Sequence, residues 1–246
     1  MDAASIILLA LILVIAVLYS SVGQAGGSGY LAAMALVGMA PEAMKPTALC
    51  LNIVVALIAT VRFARAGWFS WHRFWPFALG SIPFSFLGGS LALPSPVYKG
   101  FVGVLLLFAA AMLVRRSEGV VEQAESRVLV PAGLLIGGLI GLISGMIGIG
   151  GGIFLSPVVL LLGWAGARET SGLAAPFILV NSIAALTGHY LATGFIPAPA
   201  PLWALAAAMG GVIGAGLGSR RLSAATIRRI LAAVLVLAAA RMIATM

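Results

Sequence analysis

The sequence predicts an all-α integral membrane protein: a multi-span helical bundle of two inverted repeats, each with a glycine-broken hairpin plus three transmembrane helices. Of the 246 residues, 62% are hydrophobic and 8% are charged, whereas about 25% are charged in a typical soluble domain. Ten apolar runs divide into five in each half of the chain. A glycine-rich segment follows the first run of each half, at 23–29 and 145–152.

The apolar runs are long and continuous, which favours membrane helices over the alternating strands of a barrel. At about 20 residues per crossing, a chain of this length has room for eight to ten helical elements and no soluble domain. We expect helices within residues 6–22, 30–40, 47–61, 74–93 and 100–114 of the first half, and within 128–147, 153–164, 173–191, 202–217 and 227–243 of the second.

Scarce residue types recur at matching places in the two halves, which indicates a diverged internal duplication. Asn52 corresponds to Asn181, and Trp75 corresponds to Trp203. The most polar stretch of the chain lies between the halves. We therefore predict a first membrane repeat at 1–116, a cytoplasmic linker at 117–127 and a second, inverted repeat at 128–246.

The distribution of basic residues favours an inverted second repeat. If each glycine-broken segment returns to the side where it began, eleven basic residues lie on one side and only Lys45, Lys99 and Arg241 lie on the other. If the segment crosses instead, the division is seven to seven. Cytoplasmic loops carry the excess of Lys and Arg, so we predict a multi-pass membrane protein with both termini outside and the Arg-rich loops in the cytoplasm. Whether the hairpins span or re-enter is left open. The eleven basic residues predicted on the cytoplasmic side are Arg62, Arg65, Arg73, Arg115, Arg116, Arg127, Arg168, Arg220, Arg221, Arg228 and Arg229.

The glycine-rich segments are the first candidates for a binding site. Irregular backbone at membrane depth survives only where protein or a water-filled cavity satisfies its polar groups, and such breaks mark the binding sites of many transporters. A short helix that begins after each break presents unpaired N–H groups and a positive dipole end to an anion. Close helix packing through small residues is the alternative. The candidate substrate-binding residues are Gln24, Gly27, Ser28 and Gly29 in the first half and Gly150, Gly151 and Gly152 in the second.

Polar residues inside the apolar runs extend this candidate site. Asn52, Asn181 and Ser182 fall within such runs, and a buried amide is costly unless it finds a partner. We expect them to line the substrate path, with an interhelical hydrogen bond as the alternative. His189 is a candidate for proton coupling because its pKa of about 6.5 permits switching near neutral pH, with an interfacial hydrogen-bonded role as the alternative.

The charged residues exclude several functional classes. Every acidic residue lies near a terminus or in a connection, whereas cation pumps place carboxylates inside their spans. The chain has no paired carboxylates, Ser-His-Asp set or metal-ligand cluster, so we predict no catalytic residues, no metal, no cofactor and no enzyme activity. The basic residues lie in short loops, which argues against nucleic acid. The expected partners are a small anion and the lipid bilayer, and a homodimer is left open.

Two segments beyond the glycines carry a family resemblance. Leu-Ser-Pro-Val-Val-Leu-Leu-Leu-Gly at 155–163, the related pattern in the first half and Ile-Leu-Val-Asn-Ser-Ile-Ala-Ala-Leu at 178–186 resemble the sulfite exporter TauE/SafE family of membrane permeases. The resemblance covers nearly the whole chain. It implies a multi-pass permease of the inner (cytoplasmic) membrane for small anions such as sulfite and organosulfonates. Where the family often has Gly-Thr-Ser, this chain has Gly-Leu-Ala at 172–174 and so lacks two hydroxyl donors. The residues that match the motif by position are Gly150, Gly151, Gly152, Asn181 and Ser182, and in its first-half copy Gly27, Ser28, Gly29 and Asn52.

The sequence therefore predicts a secondary transporter that moves a small anion by alternating access. The expected cargo is sulfite, an organosulfonate or a similar sulfur-containing or carboxylate anion. A small-anion channel, a membrane-embedded enzyme and an accessory subunit without transport activity stay open as alternatives. The direction of transport and the coupling ion are undetermined at this stage.

Overall fold

The computed structural model describes residues 3–21, 24–115, 128–217 and 224–245, and these form ten α-helices. Each helix overlaps one of the ten apolar runs, so the predicted all-α class is confirmed. The predicted linker at 117–127 lies outside the described residues, as do Gly23, Arg116, Arg127, Arg220 and Arg221. The helices are α1 (Ala3–Ser21), α2 (Gly27–Val37), α3 (Pro41–Arg65), α4 (Trp71–Ser90), α5 (Ser95–Arg115), α6 (Val130–Ile147), α7 (Gly152–Leu161), α8 (Ala167–Thr193), α9 (Ala200–Leu217) and α10 (Ala224–Ala244).

The pattern of helix lengths repeats after α5. The first five helices have 19, 11, 25, 20 and 21 residues, and the next five have 18, 10, 27, 18 and 21. The short second member of each set follows the glycine-rich segment. The third member is the longest, at 25 and 27 residues.

Contacts between the helices follow the same two-fold pattern. α4 packs along α6 and α8, and its counterpart α9 packs along α1 and α3. α3 packs against its own counterpart α8, and α5 packs against its own counterpart α10. Exchange of the two halves therefore converts the interfaces of α4 into those of α9 and leaves the α3–α8 and α5–α10 interfaces unchanged.

The direction of α4 relative to α8 distinguishes the two possible topologies. Ser85 donates a hydrogen bond to the carbonyl of Asn181, and four residues later Gly89 packs on the backbone of Ala185. Residue numbers rise together along the interface, so α4 and α8 run parallel. Glycine-broken segments that crossed the bundle would make these two helices antiparallel. The observed direction agrees with hairpins that return.

α5 and α10 show that the second half is turned over relative to the first. Lys99 at the start of α5 binds the carbonyl of Thr245 at the end of the chain, and Gly103 lies against Ile243. These two helices are antiparallel although each is the counterpart of the other. A two-fold axis perpendicular to the helices produces this relation, and such an axis defines an inverted repeat.

A glycine repeat on α6 explains its close packing on α4. Gly137, Gly141 and Gly145 are spaced four residues apart and share one helix face, and they press on the backbone of α4 at Phe77 and Ser81 and at its next turn. Small residues at this spacing allow two membrane helices to approach through their backbones. This interface therefore depends on the small residues of the segment 137–145, Gly-Gly-Leu-Ile-Gly-Leu-Ile-Ser-Gly.

The helix directions give the bundle two faces. The terminal face holds the starts of α3 and α5 and the ends of α4, α8 and α10. The arginine face holds the end of α3 and the starts of α4 and α8. Ser95 donates to Glu42 at 2.7 Å on the terminal face, and Arg73 pairs with Glu169 at 2.8 Å on the arginine face. Among the described side chains, Arg62, Arg65, Arg73 and Arg168 lie at the arginine face, and Lys45, Lys99 and Arg241 lie at or near the terminal face.

The outer surface of the bundle is apolar. Leu79, Leu135 and Leu205 on three different helices are at least 60% exposed, which is unfavourable in water and favourable in lipid. Within the described residues, four helices have the length and hydropathy to cross a membrane, so the chain is a multi-pass membrane protein. These segments are Pro41–Arg65, Ser95–Met112, Val130–Ile147 and Arg168–Thr193.

Adjacent glycines on α9 provide a matched test of this packing. A β-carbon on Gly210 would lie 2.5 Å from the carbonyl oxygen of Leu13, whereas one on Gly211 would meet Val55 at an ordinary 3.5 Å. We expect Gly210→Ala to lower the melting temperature of the purified protein in detergent, since overpacking costs about 1–3 kcal/mol. Gly211→Ala should hold or raise it because alanine favours helix. Equal melting temperatures would contradict this packing.

Cysteine labelling tests which face is cytoplasmic, which stays a prediction. In a Cys50→Ala background, the exposed positions Arg65 and Thr245 are each replaced by cysteine. We expect a membrane-impermeant maleimide added outside intact cells to label Thr245→Cys, and to label Arg65→Cys only after the membrane is opened. The reverse pattern would invert the predicted orientation.

Candidate functional site

The second glycine loop, residues 148–151, forms the turn between α6 and α7. Gly148, Gly150 and Gly151 have φ angles of 93°, 81° and 85°, in the left-handed region that glycine adopts without steric cost. Gly148 ends α6 and Gly151 begins α7 as its N-cap. The run of glycines is therefore required by the backbone conformation of the hairpin.

The first glycine loop is described at residues 24–26 and joins α1 to α2. Gly26 is the N-cap of α2 with a φ angle of 94°. The backbone N–H of Gln24 donates to the carbonyl of Tyr19 at 2.9 Å. The Tyr19 hydroxyl and Ser28 share a hydrogen bond of 2.9 Å, which ties the end of α1 to the start of α2.

The two glycine loops meet beside Asn52, at the middle of α3. Gly27 approaches the second loop so closely that a β-carbon on it would lie 2.5 Å from the carbonyl oxygen of Ile149 and 2.9 Å from Asn52 Nδ2. Asn52 Nδ2 donates to the carbonyl of Gly148 at 3.2 Å. One amide thus contacts both loops, and both hairpin tips lie inside the bundle.

α8, in the second repeat, also contacts the second glycine loop. A β-carbon on Gly150 would lie 2.9 Å from Ser182 Oγ and 3.3 Å from Asn52 Nδ2. Ser182 sits at the middle of α8, as Asn52 does on α3. The central parts of the two longest described helices therefore enclose the glycine loops.

Several buried polar atoms around this junction have no hydrogen-bond partner among the described residues. Asn52, Asn181 and Ser182 are all 0% exposed. A buried polar group left unpaired costs about 1–3 kcal/mol, so such groups in a folded protein indicate a ligand or a functional role. The unpaired atoms that contact the loops are Asn52 Oδ1, Ser182 Oγ and Tyr30 OH, and the buried Asn181 Oδ1 and Thr47 Oγ1 on α8 and α3 are also unpaired.

The starts of α2 and α7 add a positive potential to the junction. Both N-caps are glycines, and neither helix has a side-chain capping hydrogen bond in the described structure. The first N–H groups of a helix have no intrahelical acceptor, and together they carry about half a positive charge. Two such helix starts near one asparagine favour a negatively charged ligand.

The structure brings four of the predicted residues into direct proximity, Gly27, Asn52, Gly150 and Ser182. The others adjoin this group. Ser28 and Gly29 pack inside the first hairpin against Tyr19, and Gly151 and Gly152 pack against α8. Gln24 lies in the first loop itself. The predicted role of these residues in substrate binding stays a prediction.

Asn52 and Asn181 correspond in sequence but make different contacts. Asn52 reaches across to the second glycine loop, whereas Asn181 Nδ2 donates to Phe177 in its own helix at 2.9 Å. The backbone carbonyl of Asn181 accepts the hydroxyl of Ser85 at 2.9 Å. The two repeats are therefore not equivalent at the junction.

His189 lies away from the glycine loops. It follows Ser182 by seven residues, about two helical turns, toward the terminal face. Its Nε2 is 3.3 Å from the Thr193 hydroxyl, and its side chain lines a pocket at that face. The predicted proton-coupling role is untested by this placement.

Lys45 is an internal residue that the apolar run alone does not predict. The apolar run starts at 47, but α3 starts at Pro41 with proline at its first turn and Glu42 beside it. Proline at the first helical position is a known start signal. Lys45 therefore lies in the second turn of α3 and is only 6% exposed.

Comparisons with known proteins identify the family of the chain. The model of the family described as sulfite exporter TauE/SafE matches residues 8–242. The "Probable membrane transporter protein y4hK" of Sinorhizobium fredii (strain NBRC 101917 / NGR234) is 42% identical over 246 residues, which cover 99% of this chain and 100% of that protein. No solved structure matches the chain significantly. The family match includes both glycine loops and both repeats.

The unequal contacts of the two asparagines predict unequal mutational effects. Asn52→Ala removes the bond from α3 to the second loop, whereas Asn181→Ala removes a bond within α8. We expect Asn52→Ala to lower the melting temperature in detergent by several degrees more, since it leaves the buried Gly148 carbonyl without its side-chain donor, whereas the Phe177 carbonyl keeps its backbone bond within α8. A buried polar group left unpaired costs about 1–3 kcal/mol, and each kcal/mol is about 2–4 °C for a chain of this size. Equal losses would show that the repeats are equivalent here.

Proposed function

We propose a substrate and a mechanism for this chain, which belongs to the sulfite exporter TauE/SafE family and is a membrane transporter rather than an enzyme. The substrate is a small oxyanion of sulfur, such as sulfite or an organosulfonate. It binds where the two glycine loops meet and crosses the cytoplasmic membrane by alternating access. The orientation with both termini outside and the homodimer belong to the same set of proposals.

The unpaired polar atoms at the junction are the observation that carries this proposal. The hydroxyls of Ser182 and Tyr30 and the first N–H groups of α2 and α7 are donors. A ligand that accepts several hydrogen bonds and carries negative charge satisfies them together. The described carboxylates, Glu42 and Glu169, lie in the first turns of α3 and α8, so no described acidic group opposes an anion at the junction.

The acceptor at the junction narrows the substrate class. The unpaired Oδ1 atom of Asn52 accepts a hydrogen bond. An oxyanion that still bears one hydroxyl, such as hydrogen sulfite, offers that donor together with its acceptor oxygens.

The two faces of the bundle support alternating access. On the arginine face, the Arg73–Glu169 ion pair and the Arg168 guanidinium above the Trp68 ring join the starts of α4 and α8. On the terminal face, a pocket opens between the ends of the same helices. This arrangement fits a state that is closed at one face and accessible at the other. Relative motion of the inverted repeats exchanges the two states.

Uptake into liposomes tests the proposal. Wild-type protein is reconstituted and offered labelled sulfite, sulfate, organosulfonates and carboxylates, with and without a pH gradient. We expect saturable uptake of the sulfur oxyanions. Loss of a hydrogen bond to a charged ligand costs about 1.5–3 kcal/mol, so Ser182→Ala should raise the half-saturation concentration at least about tenfold.

Thr187→Ala is the matched control for Ser182→Ala. Thr187 lies five residues further along α8, is exposed, and donates its hydroxyl only to Ile183 of its own helix. Its replacement should leave uptake at the wild-type level. Uptake that rises linearly with anion concentration indicates a channel. Equal effects of the two substitutions would remove Ser182 from the site.

A further inference from the structure

The pocket on the terminal face has a volume of about 290 Å³ and extends to the second glycine hairpin. Met146, which belongs to the glycine-rich segment 145–152, lines it together with Tyr98 and His189. The hydroxyl of Tyr98 donates to the carbonyl of Ile147 at 3.0 Å. Tyr98, which lines the pocket, is therefore hydrogen-bonded to the end of α6, one residue before the second glycine loop.

Lys45 is the cation in the wall of this pocket. Its Nζ donates to the carbonyls of Gly88 at 3.1 Å, Gly89 at 2.6 Å and Leu91 at 3.1 Å, which close the end of α4. Within the described part of the chain, no carboxylate lies at ion-pair distance from it. At hydrogen-bond distance only carbonyl dipoles offset its positive charge. Glu42 also lines the pocket, but its exposed carboxylate lies at the rim, where it accepts the Ser95 hydroxyl, so Lys45 is the buried charge of the pocket.

The fold of a repeat does not require this lysine. When Asn52 is aligned with Asn181, the position that corresponds to Lys45 is Ala174, a buried residue of α8. The second repeat thus forms the same helix without a cation. Burial of an ammonium without a carboxylate partner is costly, so a buried lysine in one repeat only points to a function of the pocket.

We infer that this pocket is a second anion-binding station on the transport path, outside the glycine-loop junction, and that Lys45 supplies its charge. This inference rests on the proposed function. The ligand is a small oxyanion, and the field of Lys45 concentrates it at the mouth of the path. Thr193 and His189 lie in the same wall and provide polar groups. From this station the anion passes Met146 to reach the second glycine loop.

The first test compares substitutions of Lys45 in the liposome uptake assay with labelled sulfite. Lys45→Met keeps the length of the side chain and removes its charge, and we expect it to raise the half-saturation concentration at least about tenfold. Lys45→Arg retains the charge and should recover most of the loss. A folded Lys45→Met protein with wild-type half-saturation would overturn the inference.

Phe195 provides a second test that leaves Lys45 intact. It lines the pocket and is 47% exposed, so it tolerates a polar substitute. We expect Phe195→Glu to raise the half-saturation concentration several-fold relative to its neutral match Phe195→Gln, and this difference should shrink as salt screens the charge. If Lys45→Met fails to fold, this pair decides the question, and identical behaviour of the pair overturns the inference.

The outcomes separate this inference from the proposed function. Absence of uptake by wild-type protein overturns the proposed function and the station together. If Ser182→Ala impairs uptake but the Lys45 and Phe195 substitutions leave it unchanged, the inference of a second anion-binding station is overturned and the proposed function stands.

A phospholipid headgroup shares the chemistry of a small oxyanion and is tested separately. Phospholipid retained after purification is measured by native mass spectrometry for wild-type and Lys45→Met protein. We expect equal amounts. Loss of one bound phospholipid in the variant would assign the pocket to a lipid and overturn its role as a station for transported anions.

Discussion

The contact between the two glycine loops at Asn52 is the constraint on which the rest of the structure depends. It brings Gly27 of one repeat against Ile149 of the other at a separation that admits no side chain. The left-handed glycines of the second loop make this approach possible. The same contact leaves the starts of α2 and α7 uncapped and buried, so close packing and a positive potential have one origin.

The inverted symmetry places this junction between two faces that differ in chemistry. Parallel α4 and α8 are joined at their starts by Arg73 and Glu169, and a pocket separates their ends. Strict symmetry would make the two repeats interchangeable. The chain departs from this symmetry at two positions. Asn181 donates its hydrogen bond within its own helix, and Lys45 of the first repeat corresponds in sequence to Ala174 of the second. These departures make the two repeats chemically different at the middle of the bundle and at its terminal face.

Much of the fold follows from local sequence. Continuous apolar runs predict all ten described helices because backbone N–H and C=O groups in lipid must be hydrogen-bonded within their own segment, as they are in a helix. The glycine segments predict both hairpins, although α2 and α7 start at Gly27 and Gly152, earlier than the apolar runs suggest. Among the site residues, Gly27, Asn52, Gly150 and Ser182 are predictable because glycine clusters and buried amides are scarce in apolar segments.

The sequence by itself determined the number of helices, their grouping into two repeats and the residue types of the junction, since these depend on hydropathy and backbone preference. Only the tertiary structure decided which polar groups meet. Asn52 and Asn181 occupy corresponding positions, yet one joins the second glycine loop and the other stays within α8. Lys45 precedes an apolar run, and its burial depends on the end of α4, some forty residues away. Such contacts arise from packing between distant segments, which local composition does not encode.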